Sequence, residues 1–314
     1  MTSMAQPLPN SMIEEKSQNN EQQPMKIDID RKARKTKVAL IVRKILVYIV
    51  LIFLTILCIF PFYILIVNCT RSNFEIQQGF SFTFGNFFTY NWNSLFDDTN
   101  IPMARALLNS LFISLCTAVL TVYFSSLTAY AFHQYRFKGR NALFTFVLLI
   151  MMVPTTVSSL GLLTLCAKYD LLDTYYPLII PAVASPITVF YMRQYLDSVM
   201  PKELVEAARV DGSGELSIFH RIVLPILKPA MAVQFIFSFV ASWNNYFFPA
   251  LVIQSTNKKT IPLIIAGLQA SDPTTFDLGK VYMLMTIAII PLLFMYLLLS
   301  KFIIKGVTLG SVKG

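Results

Sequence analysis

Six stretches of the chain contain no Asp, Glu, Lys, Arg or His: 45–68, 106–132, 141–167, 175–192, 230–257 and 281–300. About 20 apolar residues in a helix cross the hydrocarbon core of a bilayer. A helix is also the one open-ended element that closes all its own backbone hydrogen bonds in lipid. The chain is 55% hydrophobic and 14% charged, whereas soluble domains run nearer a quarter charged. A soluble globular enzyme, a disulfide-stapled secreted domain and a disordered protein are excluded. The expected fold class is all-α: a polytopic membrane protein with six transmembrane helices. The fourth run carries Pro177, Pro181 and Pro186, so it reads as a broken span lining something, or as a re-entrant segment.

Six spans put both termini on one side, and the Lys/Arg distribution selects it. The 1–44 tail, the 133–140 and 193–229 loops and the 305–314 tail, with Lys301, hold 20 Lys/Arg against six on the other side. Both ends are therefore expected in the cytoplasm of a plasma-membrane protein. The sequence pI near 9.3 reflects this asymmetry and implies no nucleic-acid partner. The tail up to about Thr36 is rich in Gln, Asn, Pro and Glu and reads as disordered. It is too long and polar for a signal peptide, and the first run reads as an uncleaved anchor. The organisation expected is a 1–44 tail, a 45–304 six-helix domain and a 305–314 tail.

No ionisable residue lies within any run, so the acids of ion-driven carriers and the arginines of voltage sensors are missing. His133 and His220 fall in connecting loops, and no phosphate-binding G-x-x-x-x-G-K-[ST] motif occurs. No catalytic residue, metal site or cofactor is expected, and uphill transport would need energy from a partner. Cys58, Cys69, Cys116 and Cys166 lack metal spacing. Cys69 and Cys166 fall near the same ends of their runs, where a disulfide is conceivable.

The 193–229 loop has 37 residues, too many for a bare connector. It reads as a helix-turn-helix. One helix follows Pro201 and runs to Arg209, and Asp211-Gly212 ends it, glycine suiting a left-handed C-cap. A second opens after Ser213 as N-cap with Glu215 in its first turn, carries Leu216, Phe219 and Ile222 at helical spacing, and stops at Pro225.

Glu206-Ala207-Ala208, Gly212 and Ile222-x-Leu224-Pro225 together resemble the EAA loop of permease subunits in binding-protein-dependent ABC importers. The fuller run from Pro201 to Asp211-Gly212, with Phe219, Arg221 and Pro229, is similar to the carbohydrate-uptake (maltose-type) class. Seven fixed positions, each met at about 6–8% from ordinary usage, recur by chance on the order of 10⁻⁸ per start. The resemblance implies that this knob docks in a cleft of a cytoplasmic ATPase subunit. Glu206 would supply a charge, Ala207 and Ala208 close approach, Asp211 and Gly212 the bend. Phe219 and Ile222 would supply apolar anchors, unless they pack the knob onto its own membrane helices.

The likeness extends from about Ile45 to the end. Asn109-Ser110-Leu111, Ala129-Tyr130-Ala131-Phe132, Met152-Val153-Pro154 and the tail from Lys305 match the family's pattern. Trp243-Asn244-Asn245-Tyr246 with Pro249 resembles its fifth-span signature, with Asn245 where an acid is usual. Aromatic and amide groups side by side suit a sugar; the alternative is interhelical glue. Asn244 and Asn245, about 100° apart on a helix, cannot both face one small cavity. The aromatics of 69–105 suit an interfacial belt or a binding-protein contact, and the segment Ile261-Pro262-Leu263 to Gly267-Leu268-Gln269 touches the binding protein in relatives. The expected function is one permease subunit of an ABC importer for a sugar or oligosaccharide. Its partners would be a second permease, two ATPase subunits that consume the ATP, and an extracytoplasmic solute-binding protein. The alternatives are a polyol or glycerol-phosphate importer of the same build, or a six-span channel or scaffold.

Overall fold

The computed structural model describes the backbone of residues 10–98, 101–270 and 276–311, with side chains for residue 37 and residues 40–98, 101–270 and 276–302. The α-helices, in order, are α1 (Asn10–Asn68), α2 (Asn73–Gln77), α3 (Phe88–Phe96), α4 (Met103–Gln134), α5 (Arg140–Ile150), α6 (Thr155–Lys168) and α7 (Tyr176–Ile179). Then come α8 (Pro186–Val199), α9 (Glu203–Val210), α10 (Glu215–Ile218), α11 (Leu224–Trp243), α12 (Phe247–Val252), α13 (Ile261–Gln269) and α14 (Leu278–Ser311). No strand occurs among the described residues. Two compact units divide the chain, 1–64 and 65–314. Within the first, α1 is helical from Asn10, inside the tail read as disordered; the side chains of that stretch, and the 305–314 tail motif, lie outside those described.

Four helices are long and apolar enough to cross a bilayer, Leu40–Asn68, Met103–Gln134, Glu215–Trp243 and Leu278–Phe302, with α5 and α6 forming a pair bent by 95° that would make a fifth. Of the six spans expected, the fourth as a broken one, four form as single long helices and the third forms as the bent pair. The third run breaks at Met151–Pro154, because Pro154 has no N–H to donate and its ring pushes Val153 out of the helical region. The fifth run is displaced: its helix starts before Leu224 and ends at Trp243.

In the 65–314 unit, α4 is the axis. It packs on α8 and α11, and α11 packs on α14. The fourth run is interrupted as its prolines require: α7, a 3₁₀ turn at Ile180–Val183, then α8. Pro186 cannot donate to the Ala182 carbonyl four residues back. Thr121 Oγ1 on α4 donates to that carbonyl at 3.0 Å instead, and Thr117 Oγ1 reaches the Leu178 carbonyl at 3.4 Å. A row of hydroxyls on α4 thus replaces the helix's own ladder. Thr121→Val is expected to lower the stability of the purified protein in micelles by about 1 kcal/mol, since it strands a buried carbonyl. An unchanged denaturant midpoint would refute that role.

At the C-terminal end of α4, buried His133 places Nδ1 2.7 Å from Asp197 Oδ1 on α8. The guanidinium of Arg193 lies 3.8 Å over the Phe144 ring of α5. At the N-terminal end, Asn109 Nδ2 donates to the Asn257 and Lys259 carbonyls at 2.9 and 3.0 Å, and Ser110 Oγ accepts from Ile261 N–H at 2.8 Å. Asp173 there accepts from Ser255 and Gln254 N–H and pairs with Lys258 at 3.1 Å; these bonds, that of the Ser255 hydroxyl foremost, hold its carboxyl well below the usual range. All four cysteines are free, with Cys69 and Cys166 buried, so the conceivable disulfide does not form.

Candidate functional site

Two regions of the 65–314 unit gather the residues singled out from sequence. The first is the knob. Helix α9 closes in a Schellman motif: Ser213 N–H donates to the Ala208 carbonyl and Gly212 N–H to the Arg209 carbonyl, both at 3.0 Å. Gly212 sits at φ +79°, left-handed backbone that costs any L side chain about 1–2 kcal/mol. The bend expected at Asp211-Gly212 is there. The N-cap of α10 is Gly214 rather than Ser213, and it makes no side-chain capping bond.

Pro225 does not stop the second helix. A π-turn at Phe219–Val223 joins α10 to α11, with Leu224 N–H bonding the Phe219 carbonyl. That wider turn relieves the clash of a proline ring with the carbonyl four residues back, and the helix continues to Trp243. Phe219 is 1% exposed, inside a core with Val122, Ala129, Tyr130, Leu196, Val205 and Val223. It therefore fastens the knob to α4 and α8 and is not an outward anchor. Ile222 and Leu224 are half-buried against the same core, and Ala208 is buried. Glu206, Ala207, Asp211, Gly212 and Pro225 face outward.

Sequence reasoning missed two features here. Leu204, Ala207 and Val210, three residues apart on one ridge of α9, are all exposed, Val210 at 88% and Leu216 on α10 at 67%. The spacing was visible; the direction of the ridge was not. The second feature is a clamp. Arg209 Nε lies 2.6 Å from Glu215 Oε1 across the bend, and Glu215 also accepts from the Tyr130 and Tyr135 hydroxyls. The Glu215 bond holds the Arg209 guanidinium above its usual value, and burial followed by the Glu215 hydrogen bond raises the Tyr135 phenol. The clamp fixes the knob on the end of α4 (Tyr130 lies on that helix and Tyr135 is its C-cap).

The second region is the break after α11. Asn244 and Asn245 favour local backbone bonds over helix; Asn244 caps α11, and Asn245 Oδ1 accepts from Phe248 N–H at 3.4 Å to start α12. The two asparagines separate, although both lie past the end of α11 and helical spacing does not apply to them. Asn244 lines a cavity of about 540 Å³ with Trp243, Tyr246, Ile261, Pro262, Ile265, Ala266, Gln269, Ala270 and Ala288. Asn245 instead lines a chamber of about 20 Å³, one water in size, with Ser110, Ser114, Ser242 and Thr260. Trp243 is 2% exposed and stacks on Phe239 at 5.8 Å. It is a packed wall at a helix end, while Tyr246 is 49% exposed. Among the described residues no group of three or more His, Cys, Asp or Glu could hold a metal.

A clamped knob, continuous with a membrane-length helix that ends at a cavity, is the build of a transport permease. Residues 121–308 match the family of binding-protein-dependent transport system inner membrane components. The arabinooligosaccharides transport system permease protein AraQ of Bacillus subtilis is 35% identical over 273 residues, covering 83% of this chain and 92% of that one. The sn-glycerol-3-phosphate transport system permease protein UgpE of Pectobacterium atrosepticum is 30% identical over 255 residues, covering 79% and 90%. A bacterial ABC transporter chain involved in importing the acidic polysaccharide alginate shares the fold, with a TM-score of 0.72 at 18% identity over 83% of this chain and 96% of that one. The chain belongs to the binding-protein-dependent transport permease family: it is a multi-pass component of the inner membrane and of an ABC importer, not an enzyme.

Proposed function

We propose that this chain is one permease subunit of an ABC importer for a sugar or oligosaccharide delivered by an extracytoplasmic solute-binding protein. It pairs with a second, similar permease and with two cytoplasmic ATPase subunits. Those subunits use the ATP; this chain carries no cofactor and no catalytic group. The likeness to AraQ supports the substrate class, and the Lys/Arg asymmetry supports cytoplasmic termini and a cytoplasmic knob. The six crossings of this reading are the four long helices, the bent α5–α6 pair and the proline-broken 176–199 stretch.

The observation that carries the reading is the split character of the knob. Its inner side is locked by Phe219, Val205 and the Arg209–Glu215 pair, while Glu206, Ala207 and Val210 stand outward. When the ATPases close on ATP, they press that outward face, and α11 carries the displacement to the break at Asn244. The cavity then switches between inward- and outward-facing states. Purification of this subunit should bring down an ATPase subunit; a channel or scaffold would come alone, and that result would end the proposal.

Alanine variants of the two asparagines separate their roles. Asn244→Ala is expected to cut ATP-driven sugar uptake about tenfold, as for one lost bond to a bound hydroxyl near the upper end of the usual range. Asn245→Ala, away from that cavity, should cost threefold or less, again about one weak bond. Equal uptake by both variants in reconstituted vesicles would remove Asn244 from the path.

A further inference from the structure

We infer that the cavity beside Asn244 is selective for uncharged polyhydroxyl solutes, and that Gln269 is a specificity-determining residue that reads their hydroxyls. This rests on the cavity lying on the sugar's path, as proposed above. At about 540 Å³ its volume is that of a small-molecule site. The polar side chains among its described lining are Asn244, Tyr246, Gln269 and the Trp243 indole, and none is charged. A phosphate ester is held by Arg, Lys or free N–H groups at a helix start, and this lining supplies none of them. Two helix starts border it: at α13 Ile261 N–H is spent on Ser110 Oγ and Pro262 has no N–H to give, and at the six-residue α12 Phe248 N–H is spent on Asn245 Oδ1.

The helix ends point the same way. Both α11, at Trp243, and α13, at Gln269, terminate at the cavity. Helix C-termini carry partial negative charge and unpaired carbonyls, which repel an anion and accept hydrogen bonds from sugar hydroxyls. Gln269 adds an amide that both donates and accepts. Ser110 of α4 bonds the first residue of its helix and Asn109 the segment just before it, so the amide is presented from an anchored helix. The sequence resemblance had assigned this segment to binding-protein contact; the structure places the exposed Gln269 in the cavity's lining.

The test uses the intact complex in vesicles without binding protein, and a cysteine at the exposed lining position Ala270. In a Cys58→Ser background, Ala270→Cys is labelled with a maleimide in the presence of maltotriose, raffinose or glycerol 3-phosphate. The neutral sugars should slow labelling at least fivefold and glycerol 3-phosphate should leave the rate unchanged. Gln269→Leu should raise the half-protective sugar concentration about tenfold, as for one lost neutral hydrogen bond, while Gln269→Glu, which still accepts hydroxyl bonds, keeps most of the protection. Protection by glycerol 3-phosphate equal to that by sugar, no protection by either sugar, or unaltered protection in Gln269→Leu would each overturn the inference. If ATP-driven sugar uptake persists in such a case, the importer reading stands and only the selectivity falls.

Discussion

Gly212→Pro is expected to abolish substrate-stimulated ATP hydrolysis in the assembled complex while the membrane helices stay folded. Proline fixes φ near −65°, whereas Gly212 lies at +79°, and it deletes the N–H that donates to the Arg209 carbonyl. The Schellman turn cannot close, so α9 and α10 part, and the Arg209–Glu215 pair parts with them. Gly212→Ala separates the causes. A Cβ there meets no atom within 4 Å, so the cost is backbone strain alone, about 1–2 kcal/mol, and coupling should fall without vanishing. Wild-type stimulation in the proline variant, measured as phosphate release with and without substrate-loaded binding protein, would show that the bend carries no force.

Phe219→Ala has the largest expected effect on stability, about 3–5 kcal/mol, as for a buried aromatic truncated in a packed core. The ring is 1% exposed, with Tyr130 and Tyr123 rings at 5.8 and 6.0 Å. Because the loss is internal, it should appear in thermal unfolding of this subunit purified without any ATPase. A residue that served only to grip the ATPase would leave that transition unmoved and weaken co-purification instead.

What was legible from sequence was whatever local chemistry dictates. Gly212 announces a left-handed bend, and the prolines at 177, 181 and 186 announce a helix that cannot close its own ladder. What stayed hidden depended on partners distant in the chain. Phe219 has one pattern whether it faces a neighbouring subunit or its own core, and only α4 decides. Thr121 matters because Ala182 lacks a donor, which no spacing rule connects. Pro225 misled, since proline as a helix stop assumes an α-ladder and the π-turn before it removes the conflict. Pro154 misled in the other direction: the uncharged run continues through it, but the helix does not. Gln269 was read with its surface loop, and the fold carries it to the cavity.

The continuous helix from Glu215 to Trp243 has a further consequence. At about 1.5 Å per residue it is a rod some 40 Å long, clamped at one end by Arg209 and the two tyrosines and finishing at the cavity beside Asn244 at the other. Its bending points are the π-turn at Phe219–Val223 and Pro229; where packing on α4 and α14 holds them, a thrust at the knob is passed on to the far end. Stroke and opening are then mechanically one event, and softening the rod midway should leave hydrolysis running while nothing is carried.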